Sequence, residues 1–161
     1  MLKAIFRAAL LALVVCGARP VLADDLTIVG PDGPHPLAAT EMAKLATVDV
    51  TVSFMTQHGT RKASFSGPLL WDVLTKAGAI DVSKPKDTTR EIVSLTGSDN
   101  YVAVLAVGEI SPEFEGKDVI LATSMDGKPL DPNRLRVVVP LDKRGGRSVR
   151  DVVKIEVTTP H

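Results

Sequence analysis

Short apolar segments of strand length, separated by turn residues, constrain the fold of this chain most strongly. Residues 48–54 (VDVTVSF) alternate apolar and polar side chains, which predicts a half-buried strand. The other strand candidates are residues 26–29, 91–97, 101–110, 118–125, 136–140 and 152–157. Residues 101–110 also suit the start of a helix. Many strands and few helices predict an α+β domain that is mostly β, with mixed sheets, and not a βαβ repeat.

Two short helices are predicted. Residues 69–79 place Leu, Val and Ala at helical spacing, and Gly78 is suited to end that helix. Residues 40–46 predict another helix, with Thr40 as N-cap and Glu41 in the first turn, where a negative charge suits the helix dipole. Residues 55–64 are predicted to form a loop or a hairpin, residues 80–90 a loop, and residues 126–130 a turn with Asp-Gly chemistry.

The N-terminal segment has the composition of a secretory signal peptide. Cationic residues precede an apolar run at residues 8–15, and residues 21–23 (VLA) fit the small-x-small cleavage pattern. The apolar run is too short for a permanent transmembrane helix. We therefore expect export across a membrane, removal of residues 1–23, and a single domain formed by residues 24–161.

Charge and cysteine content exclude several classes of function. The chain has 19 basic and 19 acidic residues, and the predicted cleavage removes three of the basic ones, leaving a net charge of −3. Such a chain is not globally suited to nucleic acid or to an anionic membrane. The only cysteine, Cys16, lies in the predicted signal peptide. We therefore expect no disulfide, no cysteine nucleophile and no thiolate metal site in the mature protein.

No catalytic motif is present in the sequence. It lacks G-x-S-x-G, and its histidines, His35, His58 and His161, do not have H-x-x-x-H or H-E-x-x-H spacing. Neither a Ser-His-Asp triad nor a metal site is predicted. His58 follows the strand candidate 48–54, so it is either a binding residue or an ordinary loop residue.

Asp99-Asn100-Tyr101 lies between two strand candidates and has two interpretations. Asp and Asn are ordinary turn residues. A carboxylate can also accept two hydrogen bonds from the amidine-like edge of an aminopyrimidinone ring, and a nearby Tyr can stack on that ring or donate a hydrogen bond.

Residues 142–150 (DKRGGRSVR) form a basic segment around Gly145-Gly146. The glycines permit a positive φ and close backbone approach, and arginines offer forked donors for phosphate, carboxylate or a ring carbonyl. The same composition suits a solvated hairpin tip, so both interpretations stay open. Val149 is a candidate start of a helical turn. The four cations of the segment are Lys143, Arg144, Arg147 and Arg150.

Four segments, taken in order, resemble the molybdopterin-binding domain of the sulfite oxidase family. They are 65–79 (FSGPLLWDVLTKAGA), 96–110 (TGSDNYVAVLAVGEI), 119–140 (VILATSMDGKPLDPNRLRVVVP) and 146–157 (GRSVRDVVKIEV). They resemble, respectively, the family's aromatic-x-Gly motif and Leu-rich helix, its Ser-Asp-Gly-Tyr turn, its Arg-containing strand ending in Pro, and its Ser-Val-Lys segment. The match covers most of residues 50–157 and implies that family's α+β fold.

Departures from the family pattern change the expected function. The family's enzymes bind molybdenum through a cysteine after an early strand, and residues 52–59 (VSFMTQHG) contain none. Asp-Asn-Tyr replaces Asp-Gly-Tyr, and Pro132-Asn133-Arg134 replaces Gly-x-Pro. The resemblance therefore implies a non-catalytic periplasmic protein that binds a reduced pterin. It would report the pterin to the periplasmic domain of a membrane receptor, a diguanylate cyclase or phosphodiesterase, that controls cyclic di-GMP. The alternatives are a molybdopterin-dependent oxidoreductase-like protein and a ligand-free interaction domain.

The resemblance also implies a ligand site. Asp99 would bind the amino edge of the ring, Tyr101 would flank it, and Arg136 would donate to the ring carbonyl or the pterin side chain. His58 would face the same cavity, because it lies just past the strand that carries the enzymes' metal ligand. The residues expected to close the cleft are Gly146, Arg147, Ser148 and Arg150.

Overall fold

A computed structural model of the chain describes residues 26–160. The predicted signal peptide, with Cys16, lies outside the described residues, and so does His161. Within residues 26–160 the fold is mostly β, with mixed sheets and a few short helices, which confirms the predicted α+β class. No helix in this part of the chain has the length and apolar character needed to cross a membrane.

The secondary structure elements follow one another in short steps along the chain. The strands are β1 (Thr27–Gly30), β2 (Gly33–Pro34), β3 (Thr47–Thr56), β4 (Gly59–Pro68), β5 (Ile92–Gly97), β6 (Val102–Ala106), β7 (Ile120–Ala122), β8 (Ser124–Met125), β9 (Lys128–Pro129), β10 (Arg136–Val138) and β11 (Val152–Thr158). The helices are α1 (Ala39–Met42), α2 (Leu70–Ala77), α3 (Pro85–Thr88) and α4 (Val107–Ile110), with a 3-10 turn at Gly145–Arg147.

A five-stranded sheet with the order β2-β1-β11-β5-β6 forms one side of the fold. Strand β1 runs parallel to β11, and the other pairs are antiparallel. Alternate residues of β5 are buried, as a strand with one face on the core requires. Val93 and Leu95 of this strand join one hydrophobic cluster with Leu70, Val73 and Leu74 of α2. The sheet and α2 therefore share a core.

A second hydrophobic cluster lies around the β3–β4 hairpin. Strand β4 pairs with β3 over its full length and also with β8, which pairs with β9. Phe65 of β4 packs there with Ile120 of β7 and Val138 of β10. A Cβ atom on Gly67 would lie 2.8 Å from the Cα atom of Ala122 and would also overlap the carbonyl oxygen of Leu121. The aromatic-x-Gly motif therefore lets β4 pass directly over β7.

The helix predictions had mixed outcomes. Helix α2 and its end are confirmed: Gly78 is left-handed, with φ 82°, and its N–H donates to the carbonyls of Leu74 and Thr75. Thr40 as N-cap was wrong. The cap position is Ala38, which is extended and offers no side-chain hydrogen bond, so Thr40 lies inside α1. The first helix starts earlier and is shorter than predicted.

The predictions for the polar stretches differ in outcome. The hairpin alternative is correct for residues 55–64, because β3 and β4 continue past the core as a paired ribbon. The stretch 80–90 contains α3, which Pro85 can begin because the first helical N–H needs no partner. Residues 101–110 divide into β6 and α4. Val149 starts no helical turn, since it is buried and its carbonyl accepts a hydrogen bond from the N–H of Val137.

Candidate functional site

A cleft of about 440 Å³ lies between the β5–β6 turn, the 3-10 turn and the start of β11. We call it the Asp99 cleft. Two segments of the chain meet there, residues 98–101 and 145–151, and the N–H of Ser98 donates to the carbonyl of Asp151 to join them. The predicted ligand residues that line this cleft are Asp99, Tyr101, Gly146, Ser148 and Arg150.

The β5–β6 turn presents Asp99 at the rim of the cleft. Asn100 is left-handed, with φ 63°, and its N–H donates to the carbonyl of Gly97. One Asp99 oxygen, Oδ1, accepts the N–H of Tyr101 at 3.0 Å, so this carboxylate also stabilises the turn. The side chain is exposed. The turn interpretation and the ligand interpretation are therefore compatible at the same residue.

Gly97 forms the base of the same turn, and it was not among the site residues predicted from the sequence. A Cβ atom there would lie 2.9 Å from the carbonyl oxygen of Arg150 and 2.9 Å from Oδ1 of Asp99. Any larger residue would push the two ligand candidates apart. A glycine at the end of a predicted strand was the available signal, because such a glycine often marks close backbone approach.

The Gly145-Gly146 pair forms the 3-10 turn and not a hairpin tip. Within residues 26–160, the glycines with positive φ do not include these two, so close packing explains them. A Cβ atom on Gly145 would lie 3.4 Å from the ring of Phe54. The hydroxyl of Tyr101 donates to the carbonyl of Gly146 at 2.8 Å. The 3-10 turn is therefore held in place by Phe54 of β3 on one side and by Tyr101 at the cleft on the other.

Ser148 connects the cleft to the core. It is 5% exposed, and its hydroxyl oxygen accepts the N–H of Val139 at 3.0 Å. The hydroxyl satisfies a buried backbone donor just past β10 and fixes the backbone that leads to Arg150.

The guanidinium of Arg147 does not line the Asp99 cleft, contrary to the prediction that it closes it. It donates to Asp142, with Nη2 2.8 Å from Oδ1, and to Glu109, with Nη1 2.9 Å from Oε2. The hydrogen bonds to Asp142 raise the pKa of Arg147, although burial opposes this. Lys117 also donates to Glu109 at 3.0 Å. Arg147 therefore anchors the 3-10 turn to α4.

A second cleft of about 320 Å³ adjoins the first. We call it the Arg136 cleft, and Arg150 and Asp151 line both clefts. Asp151 is left-handed, with φ 48°, and it accepts Nε and Nη2 of Arg134 at 3.0 and 3.2 Å. That ion pair neutralises Arg134 and leaves Arg136 and Arg150 as the cations that face this region.

Arg136 is a predicted ligand residue with a buried side-chain donor that lacks a partner among the described residues. It lies on β10, its Nε is buried, and that atom has no hydrogen-bond partner among the described residues. Its guanidinium carbon lies 5.1 Å from the centre of the Phe65 ring, a cation–π distance. Burial lowers the pKa of Arg136, and the charge of Arg150 lowers it further. An oxygen-bearing ligand would supply the missing acceptor.

His58 lies in the two-residue turn between β3 and β4, and it is exposed. Its side chain lines neither the Asp99 cleft nor the Arg136 cleft. Across residues 26–160, no group of three or more His, Cys, Asp and Glu side chains is arranged to hold a metal ion.

Sequence comparison assigns the family. The family model described as "oxidoreductase molybdopterin binding domain" matches residues 38–161, which is most of the chain. The chain belongs to this family. The resemblance to the sulfite oxidase type of domain is thereby confirmed.

A solved structure shares the fold of this oxidoreductase molybdopterin-binding domain. The sulfane dehydrogenase SoxCD from Paracoccus pantotrophus aligns with a TM-score of 0.62 and 15% sequence identity. The alignment covers 84% of this chain and 39% of the SoxCD chain, so this chain spans about two fifths of that protein's length. At this identity the likeness shows the fold alone. No curated protein sequence matches the chain.

The family implies molybdopterin, and the side chains present fit only part of that cofactor. Asp99, Arg136 and Arg150 offer one carboxylate acceptor and two guanidinium donors, which suit the polar edges of a pterin ring. The family resemblance places a cysteine ligand for the metal after an early strand. Residues 26–160 contain no cysteine, and the end of β3 carries Met55 and Thr56. The donor set therefore fits the pterin and not a thiolate-bound metal.

Proposed function

We propose that this chain is a periplasmic pterin-binding protein without catalytic activity, which reports its ligand to a membrane receptor that controls cyclic di-GMP. The observation that best supports ligand binding is the meeting of Asp99 and Arg150 in one cleft, next to the unpartnered Nε of Arg136. A carboxylate, an exposed arginine and an unsatisfied buried donor together favour a ligand with both N–H groups and oxygen acceptors.

A reduced pterin meets these requirements. Its amino-pyrimidinone edge carries adjacent N–H donors that suit the carboxylate of Asp99. Its ring carbonyl accepts from guanidinium groups such as those of Arg136 and Arg150. Tyr101 is half-exposed beside the cleft, so its ring can flank a planar ligand while its hydroxyl stays on Gly146. Charge-assisted hydrogen bonds of this kind are the stronger class in proteins.

The proposed lack of catalytic activity rests on the missing cysteine, the residue through which the family's enzymes bind molybdenum. Residues 26–160 have no thiolate, and the corresponding strand end leads into the exposed turn residues Gln57 and His58. The signalling part rests on the family resemblance and on the basic segment. Lys143 and Arg144 are exposed on the loop before the 3-10 turn, where they can meet an acidic receptor surface.

Analysis of the protein purified from the periplasm tests this function. We expect denaturation followed by oxidation of the extract to yield a fluorescent pterin, in an amount close to one per chain, and no stoichiometric molybdenum. Absence of any pterin, together with no thermal shift on adding reduced pterins, would overturn ligand binding. Loss of receptor co-purification on replacing Lys143 and Arg144 with Ala, with ligand content unchanged, would support the signalling role.

The family itself favours one alternative, a molybdopterin-dependent oxidoreductase-like protein. Molybdenum present in equal amount to the chain would favour this alternative over the sensory proposal. The same metal analysis therefore separates the two functions.

A further inference from the structure

A cavity of about 440 Å³ lies among the end of α2, the segment that contains α3, and the start of β5. It shares no lining residue with the Asp99 cleft or the Arg136 cleft. We call it the Glu91 cavity. Its volume falls in the range of sites that hold small organic ligands.

Glu91 is the unusual residue of this cavity. It is 8% exposed, and its Oε2 atom is buried without a hydrogen-bond partner among the described residues. Its backbone is fixed, because its carbonyl accepts the N–H of Val107 at 3.0 Å and its N–H contacts the carbonyl of Thr88. Glu91 itself lines the cavity. A buried carboxylate without a donor is costly.

The surrounding charges make the cavity negative. Four acidic residues line it, against two basic ones. Lys84 is already paired with Asp81, with Nζ 3.0 Å from Oδ2. Burial raises the pKa of Glu91, and the charges of Asp87 and Asp81 raise it further. A bound cation would lower the cost of ionising Glu91. The acidic lining residues are Asp32, Asp81, Asp87 and Glu91, and the basic ones are Lys84 and Arg90.

The geometry favours an organic cation over a metal ion. No three acidic or imidazole groups among the described residues converge closely enough to hold a metal. The carboxylates line the same cavity as the apolar residues Pro31 and Ala79. An ammonium or guanidinium group can donate to Glu91 while its carbon atoms contact those apolar residues.

We propose that the Glu91 cavity binds an organic cation through an ammonium or guanidinium group, with Glu91 as the buried counter-ion. The cationic group can belong to a free amine or to a Lys or Arg side chain of a protein partner. Both sources share the same chemistry at Glu91. The proposal does not depend on pterin binding, since the two sites share no residue.

Titration of the purified protein with agmatine and with a blocked Gly-Arg-Gly peptide tests the proposal. Amide chemical shifts should change around the cavity at millimolar or lower ligand concentration. Binding of agmatine alone indicates a free amine, and binding of the peptide alone indicates a partner's side chain. Either result, or both, supports the site. Lack of binding by both probes would overturn it.

Two variants identify the counter-ion. Glu91→Gln keeps the shape of the side chain and removes the charge, so affinity should fall by about tenfold or more. Glu113→Gln makes the same charge change at an exposed residue outside the cavity and should leave affinity unchanged. Wild-type affinity in Glu91→Gln would contradict the assignment. Calcium that binds more tightly than agmatine, with the same dependence on Glu91, would contradict the preference for an organic cation.

Discussion

The hydroxyl of Tyr101 donates to the backbone carbonyl of Gly146 at 2.8 Å. This bond joins the β5–β6 turn to the 3-10 turn, and both segments line the Asp99 cleft. The two parts of the chain that resemble the family's cofactor-binding segments therefore hold each other in place. A ligand between them would bind a cleft that is already formed.

Replacing Tyr101 with Phe removes this hydrogen bond and keeps the ring. We expect the free energy of unfolding to fall by about 1 kcal/mol, the usual net value of one such bond. Pterin affinity should fall by a few fold, because the 3-10 turn becomes less constrained. Urea denaturation and a ligand titration measure the two effects. Unchanged stability would show that the bond does not hold the turn in solution.

Arg147 and Arg150 should respond differently to replacement with Ala. Arg147→Ala leaves Glu109 and Asp142 without their shared partner, so the main loss should be about 1–3 kcal/mol of stability. Arg150→Ala should leave stability within about 0.5 kcal/mol, because the residue is exposed. It should weaken pterin binding by about tenfold, because it removes a charged donor from both clefts. Denaturation and calorimetric titration of each variant compare them. A loss of pterin binding in Arg147→Ala, with a loss of stability in Arg150→Ala, would contradict this assignment of the two arginines.

Acid should weaken the network around Glu109. Burial by itself raises the pKa of Glu109, but hydrogen bonds from Lys117, the Ala106 backbone and Arg147 outweigh it and lower the pKa from its usual 4.5. The folded pKa is therefore below the unfolded pKa. The stabilisation is complete above pH 4.5 and is lost as the pH falls through the folded value.

Glu109→Gln tests this pH dependence. The variant should be less stable than wild type at neutral pH and should lose stability less steeply below pH 4.5. Glu113→Gln, at an exposed residue outside the network, is the matched control. Parallel stability curves for wild type and Glu109→Gln on acidification would show that Glu109 keeps an ordinary pKa.

Local signals in the sequence predicted much of the fold. The apolar spacing of α2 and the glycine after it are neighbours in the chain, so the helix and its left-handed end were predictable. A hairpin at residues 55–64 was one of two predicted alternatives, but the length of its strands was not predictable, because that stretch is polar and has no apolar alternation. The pairing of β3 with β4 extends both strands through this polar stretch, and composition alone does not show that pairing.

The sequence predicted which residues belong to the candidate site better than it predicted where their side chains lie. Asp99, Tyr101 and Arg150 could be selected because their residue types and the family resemblance point to a ligand. The direction of the Arg147 side chain could not be predicted, since its hydrogen-bond partner Glu109 is 38 residues away in the sequence. The burial of Glu91 was equally hidden, because the residue precedes a strand and looks like an ordinary boundary charge.

Gly67 should be far less tolerant of substitution than Gly108. Gly67→Ala places a Cβ atom 2.8 Å from the Cα atom of Ala122 and against the Leu121 carbonyl, so we expect a loss of about 2 kcal/mol or more. Gly108→Ala is the control, because no atom lies within 4 Å of its Cβ position and it is inside α4. It should be neutral or slightly stabilising. Thermal and urea denaturation compare the two variants, and equal effects would contradict the close packing of β4 on β7.

Calorimetric titration with a reduced pterin tests the central claim most directly. Tetrahydrobiopterin, added without oxygen to purified protein freed of any bound ligand, should bind one molecule per chain. Asp99→Asn retains an oxygen that can accept the Tyr101 N–H, and should bind at least about tenfold more weakly. Asp118→Asn, at an exposed carboxylate outside the Asp99 cleft, should bind like wild type. Absence of binding by the wild-type protein, or equal affinity in Asp99→Asn, would contradict the proposed pterin site.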